Sequence, residues 1–328
     1  MVAVHSTARG PALGGCRMWA YDDARSAVRD VLRLSRAMTF KAAVARLPLG
    51  GGKGVIMLHP GQTPVPARRR EALLDFAETV AAVDGRYQTA EDVGTSDEDM
   101  AIIAQGTGHV TGLAVSSGGS GDPSPWTALG VESALRVACE RVWGSTSLEG
   151  RRIAVIGLGR VGGHLARGLA EGGAELVVSD IDRSKQELAT ALGAEWTDPD
   201  TALRAQVDVV APCALGGVLD DRTVGELRCQ VIAGAANNQL ATEGVADLLA
   251  ARGILWAPDF VANAGGIVNI ALELEPAGYA LERAEPAVRA IGETMRRILD
   301  DAAAIGATPF TAAMELARRR LAEAGLAA

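Results

Sequence analysis

Of the 32 basic residues in this 328-residue sequence only three are lysine, namely Lys41, Lys53 and Lys185, and the other 29 are arginine. Arginine stays protonated at any accessible pH, whereas a buried lysine amine can lose its proton and act as a base. Lysine kept against that background points to amine chemistry, and Lys41 and Lys53 stand twelve residues apart. Lys53 follows Gly50-Gly51-Gly52, three glycines that favour neither helix nor strand and make sense where backbone must come close to a ligand. Lys41 closes Met38-Thr39-Phe40-Lys41. A third segment, Thr89-Ala90-Glu91-Asp92-Val93-Gly94-Thr95, puts two carboxylates at the end of a strand candidate, with Thr95 or Ser96 as cap of the next helix. Seen alone, Glu91 and Asp92 read first as solvated or capping acids.

The second half carries Gly157-Leu158-Gly159-Arg160-Val161-Gly162, which follows a short apolar run, opens a helical stretch to Glu171, and has Asp180 placed 23 residues after Gly157. In that context the pattern predicts a dinucleotide site. The first glycine permits the tight turn, the second lets backbone approach a pyrophosphate, and the third lets helix and strand pack, with the helix N-terminus facing the anion. Asp180 is expected to accept hydrogen bonds from the adenosine ribose and to repel a 2′-phosphate. NAD is therefore expected over NADP, with Arg183 the neighbouring feature that pulls the other way. Cys213 reads as a small buried residue, since no histidine partner is suggested for a nucleophile.

Elements must hold these groups in place. Strand and helix alternate from residue 150 on: strands at 152–156, 175–179, 207–211, 231–233 and 254–257, helices at 183–192 and 244–251. This predicts a mostly parallel, doubly wound sheet. The first half shows helical periodicity at 26–40 and 68–83 and strand candidates at 54–58 and 87–90, and reads as a separate α/β domain. A Gly/Ser/Pro stretch, 116–125, suggests the hinge and feeds a helix at 127–143; helices at 286–305 and 308–324 close the chain. The expected division is an N-terminal substrate and oligomerisation domain, 1–122, a Rossmann NAD domain, 123–306, with a deep cleft between them, and a C-terminal helix, 307–328, returning to the first domain. A net charge of −8 without long runs of like charge argues against nucleic acid as partner. No apolar stretch reaches the roughly 18 residues of a membrane span, and four scattered cysteines indicate neither disulfides nor a metal site. The chain is expected to be cytoplasmic, with no membrane partner.

Taken together these segments closely resemble the amino-acid dehydrogenase family that includes leucine, valine, phenylalanine and glutamate dehydrogenases. The resemblance also covers Gly10-Pro11-Ala12-Leu13-Gly14-Gly15, Ala211-Pro212-Cys213-Ala214-Leu215-Gly216, Gly234-Ala235-Ala236-Asn237-Asn238-Gln239, and 257–266. It implies Lys53 as the catalytic lysine that activates water, Asp92 as the acid handling the amino-group proton, and Lys41 as the ligand of the substrate α-carboxylate. Gly15 and Asn238 would help hold the substrate, while Thr127, Ala214 and Asn237 match positions on the nicotinamide side. None of the four histidines matches a catalytic position. Relatives usually begin some tens of residues before the equivalent of Val2, which bears on assembly, and those of the leucine type usually carry Asp where Leu272 precedes Glu273.

The resemblance also bears on substrate. Where glutamate-specific relatives grip the side-chain carboxylate with a lysine, in the glycine-rich turn at 10–15, this chain has Leu13, and where they place a serine it has Ile270. Leu13, Ala90, Ile267 and Ile270 would line an apolar pocket in which an unpaired carboxylate costs several kcal/mol. The expected activity is reversible NAD-dependent oxidative deamination of a branched-chain aliphatic L-amino acid by a homo-oligomer, dimer or higher. The alternatives are the same reaction on an aromatic amino acid, or a silent NAD-binding or assembly protein with a shortened N-terminus, against which intact Lys41, Lys53 and Asp92 argue.

Overall fold

The computed structural model describes residues 1–326, and the chain divides into two compact units. Unit 1 contains Met1–Pro123, Val268–Ala284 and the chain from Ala317; unit 2 contains Ser124–Ile267 and Glu285–Leu316. The units interleave instead of following the contiguous blocks drawn from sequence. Segment 268–284 joins unit 1, where Glu273 accepts hydrogen bonds from the backbone N–H groups of Gly112 and Ser120. The final helix, Pro309–Leu326, is divided: Phe310 packs against the Trp256 and Phe260 rings in unit 2, and Arg320 is buried against residues 43 and 44 in unit 1. Ile270 thus falls in unit 1 and Ile267 in unit 2.

Unit 1 is built on strands β1 (Val2–Ser6), β2 (Ala12–Ala20), β3 (Gly50–Leu58) and β4 (Tyr87–Glu91), in the order β1-β3-β2-β4. Strand β2 runs parallel to β3 and β4, and β1 antiparallel to β3. Side chains alternate across the sheet. Ala12, Cys16 and Met18 of β2 and Tyr87 of β4 pack with α2 (Pro66–Ala81, Pro at its first turn) and α3 (Asp97–Ile103, opened by a capping box of Ser96 and Asp99). Val55 of β3 points to the opposite face, onto Ala27 and Val31 of α1 (Ala24–Val44, capped by Asp23).

Two sequence expectations fail here. The stretch 10–15 is not a turn but enters β2 at Ala12, and Gly50–Gly52 lie within β3. What comes close to these glycines is the protein's own chain. A Cβ on Gly14 would stand 1.9 Å from the Gly52 carbonyl oxygen, one on Gly50 1.9 Å from that of Ser6, and one on Gly51 2.0 Å from the Thr39 nitrogen of α1. Glycine, ordinarily poor in a strand, is required where packed backbone leaves no room for a side chain.

Unit 2 contains α4 (Ser124–Trp143) and a six-stranded parallel sheet of β5 (Arg152–Ile156), β6 (Glu175–Ser179), β7 (Glu195–Trp196), β8 (Val209–Pro212), β9 (Val231–Ile232) and β10 (Leu255–Trp256). The order β10-β9-β8-β5-β6-β7 is that of the dinucleotide-binding doubly wound fold, with its topological switch between β5 and β8. Near-continuous apolar residues, such as Ile153 to Val155 and Val209 to Ala211, suit strands covered on both faces. Among the described residues no helix is long and apolar enough to cross a membrane.

Candidate active site

In unit 1 the period of two brings Leu13, Gly15 and Arg17 of β2, Lys53 of β3, and Ala90 and Asp92 at the end of β4 to the face that α1 covers. Lys53, whose side chain is only 5% exposed, places Nζ 2.9 Å from Oδ1 of Asp92. The other oxygen, Oδ2, accepts from Nε of Arg17 at 3.0 Å. Burial works against charge on Asp92, but the cations of Lys53 and Arg17 and the hydrogen bonds both donate outweigh it and hold the carboxyl below its ordinary value. The Asp92 backbone is pinned as well: its N–H donates to Oγ1 of Thr95, whose hydroxyl donates to the Cys16 carbonyl. Gly15 is needed for this arrangement, because a Cβ there would stand 2.7 Å from the Asp92 Cβ.

Lys41 stands half-buried in the last turn of α1, two residues after Thr39, which packs on Gly51. Leu13, Ala90 and Ile270 are buried apolar residues of the same unit, at 1%, 4% and 6% exposure. Gly112, with φ +73°, lies beside Ala90 and is held from outside by Glu273, which binds its N–H at 3.0 Å and that of Ser120 at 2.8 Å.

In unit 2 the fingerprint Gly157, Leu158, Gly159, Arg160, Val161 and Gly162 joins β5 to α5 (Arg160–Glu171) at the switch point. Gly157 (φ +101°) presses on Ala214 just past β8, and a Cβ on Gly162 would stand 1.9 Å from the Gly157 carbonyl oxygen. A Cβ on Gly159 would meet nothing within 4 Å, so this side of the residue is open, at a helix N-terminus that no side chain caps. Asp180, just past β6, accepts from the Leu158 N–H at 2.6 Å and the Asp182 N–H at 2.8 Å. The residues therefore fit a dinucleotide: close-approach glycines, a helix N-terminus without a side-chain cap and a carboxylate beside them. Thr127 lies in the first turn of α4, against which Gly265 packs. Asn237 accepts from Asn263 at 2.9 Å, and Asn238 takes a left-handed φ of +52°. Ile267 is buried in the same unit. Burial pushes the Cys213 thiol up to about 12, unsuited to a nucleophile.

Residues 1–109 match the dimerisation domain of Glu/Leu/Phe/Val dehydrogenases, and residues 177–328 the glutamate/leucine/phenylalanine/valine dehydrogenase domain. Over 322 residues the chain is 44% identical to leucine dehydrogenase of Bacillus subtilis (strain 168), covering 98% of this chain and 87% of that protein. The chain belongs to the glutamate, leucine, phenylalanine and valine dehydrogenase family. It is also 43% identical to valine dehydrogenase of Streptomyces virginiae, over 99% of this chain and 90% of that one. The solved structure of L-tryptophan dehydrogenase from Nostoc punctiforme matches with a TM-score of 0.83 at 39% identity, over 98% of this chain and 91% of that one. Residues 135–216 match the NAD-binding domain of D-isomer-specific 2-hydroxyacid dehydrogenases. The chain is an NAD-dependent amino-acid dehydrogenase.

Within this dehydrogenase, several residues escape a reading of motifs. Gln239 donates to the Gly234 and Ala236 carbonyls and accepts from Trp256 at 3.0 Å, which stiffens the loop carrying Asn237 and Asn238. Arg17, Asp30 and Tyr21 form a connected polar chain behind Asp92. The available signal for Arg17 was its position two residues beyond Gly15, hence on one strand face; Asp30 has no local signal, because only the packing of α1 on the sheet brings it near.

Proposed function

We propose that this dehydrogenase oxidatively deaminates a branched-chain aliphatic L-amino acid to the 2-oxo acid and ammonia, reversibly. The observation that carries the reading is the pair of buried Lys53 and half-buried Asp92 on the same sheet face as Leu13 and Ala90, an acid–base couple beside apolar side chains. Lys41 binds the α-carboxylate. Asp92, held ionised, takes a proton from the substrate ammonium. NAD, when bound, would supply the acceptor for the hydride of Cα. Lys53, in its amine form, then removes a proton from the water that attacks the imine, and Asp92, 2.9 Å from that amine, returns the proton it took from the substrate ammonium to the departing nitrogen. Gly15 keeps the room in which Asp92 sits, and Asn238 orients the substrate. Leu13, Ala90, Ile267 and Ile270 receive the side chain. Gly157 to Gly162 and Asp180 hold the dinucleotide, with Thr127, Ala214 and Asn237 toward the nicotinamide.

Unit 1 takes the substrate and assembly role, making a homo-oligomer, in line with the dimerisation domain matched over residues 1–109. Four free cysteines suit a reducing compartment, and the cytoplasm is assigned accordingly. A second reading, the same reaction on an aromatic amino acid, draws on the likeness to L-tryptophan dehydrogenase and on the absence of a side chain at Gly112 beside Ala90. A panel of L-amino acids with NAD, followed by absorbance of the reduced cofactor, tests both. Leucine, valine or isoleucine should give the highest kcat/KM; a clear preference for tryptophan or phenylalanine would replace the aliphatic reading.

A further inference from the structure

We infer that Arg17 is a positioning residue for the deamination: anchored to Asp30 on α1, it fixes the carboxylate plane of Asp92 so that Oδ1 stays toward Lys53. The inference rests on the reaction proposed above. The Asp92 carboxylate turns readily about its last bond, and with Lys53 as sole partner it has two equivalent oxygens to offer to one amine. Arg17 removes that freedom by taking Oδ2 with Nε at 3.0 Å, which leaves Oδ1 for Lys53 at 2.9 Å. Its own guanidinium is fixed in turn. Nη1 donates to Oδ2 of Asp30 at 3.1 Å, the same oxygen accepts from the Tyr21 hydroxyl at 2.7 Å, and Arg33 donates to Oδ1 of Asp30 at 2.8 Å.

The planar fork of arginine is what lets one side chain bridge two carboxylates on different elements, a task for which the single ammonium of lysine has the wrong shape. Local structure agrees. Arg17 follows Gly15 on the same strand face, and the room left at Gly15 is what admits Asp92 to within reach of it. Arg17 touches neither water, substrate nor dinucleotide in this scheme and acts through Asp92 alone.

The test measures kcat and KM for the preferred L-amino acid, and the dissociation constant for NAD, in the full-length wild type, Arg17→Gln, Arg17→Lys and Asp30→Asn. A misplaced acid–base group costs turnover more than binding. Arg17→Gln should lower kcat about 10- to 100-fold, with amino-acid KM changed less than about threefold and NAD affinity unchanged. Arg17→Lys should recover melting temperature but remain at least about fivefold down in kcat, and Asp30→Asn, which leaves the Arg17 charge and loses its anchor, should fall roughly three- to tenfold. Arg17→Gln within about twofold of wild-type kcat, or full recovery in Arg17→Lys, overturns the inference. Should Arg17→Gln not fold, Asp30→Asn decides: kcat within about twofold of wild type overturns it. A wild type that turns over no L-amino acid with NAD overturns the proposed reaction and this inference together, whereas an active wild type matched by Arg17→Gln overturns the inference alone.

Discussion

An amine as buried as that of Lys53, 2.9 Å from a carboxylate, can hand over its proton and take it back, which a guanidinium cannot. Lys53→Arg keeps the charge and can keep the ion pair, yet is expected to lower kcat by about 100-fold or more, whereas Lys41→Ala should chiefly raise the amino-acid KM; steady-state kinetics separate the two. Near-normal turnover in Lys53→Arg would remove the lysine from the chemistry. The partner carboxyl makes a separate prediction in acid. Asp92 is held below its ordinary 3.8, so its contribution to stability is complete above the unfolded value and is lost as pH falls through the lower folded one. Denaturant titrations from roughly pH 5 down to pH 2 should show wild type losing stability more steeply than Asp92→Asn, and parallel curves would deny the linkage. At this scale the sequence was informative about types. A chain with three lysines draws attention to Lys41 and Lys53, and the apolar Leu13 and Ala90 are buried in the same unit. The partner of Asp92 was not legible, because Arg17 is one of 29 arginines and only strand register brings it to Asp92.

Among elements, the βαβ unit around Gly157 was the most legible, since strands 152–156 and 175–179 and the helix ending at Glu171 coincide with sequence expectation. Apolar runs bounded by glycine leave little else for such residues to do. The glycine-rich strands of unit 1 were misread for the opposite reason: low strand propensity in β2 and β3 is overridden by neighbouring backbone that any side chain would strike. Strand β6 and the glycine loop also act together, because Asp180, just past β6, accepts from the Leu158 N–H of that loop. Asp180→Ser should therefore narrow the preference for NAD over NADP by relieving repulsion of the 2′-phosphate, and should weaken NAD as well by loosening the loop. Measuring kcat/KM for both cofactors checks this; equal use of NADP by the wild type would contradict the assignment.

At the level of the whole molecule, Arg320 donates to the carbonyls of Ala43 and Val44 at the C-terminal end of α1, and its own carbonyl accepts from Arg9. Those carbonyls belong to the last turn of the helix that carries Lys41, and they need donors once buried. Arg320→Met should cost about 1–3 kcal/mol, read by denaturant unfolding, and should raise the amino-acid KM while leaving NAD affinity unchanged. An unaltered KM would show that α1 holds Lys41 without this support. The interleaved units were not foreseeable from motif order, because Glu273 and Arg320 reach back across the sequence to backbone groups, and backbone groups carry no signature in the residues that own them. The same contact sets a timetable for biosynthesis. Arg320 is translated 277 residues after Ala43, so a nascent chain can form its first sheet early but holds the end of α1 unsupported until the final helix leaves the ribosome. A message truncated before that codon would yield a polypeptide with most of both units and a loosened end of α1, a product that proteases, which act on locally opened structure, are able to distinguish from a chain that carries the helix.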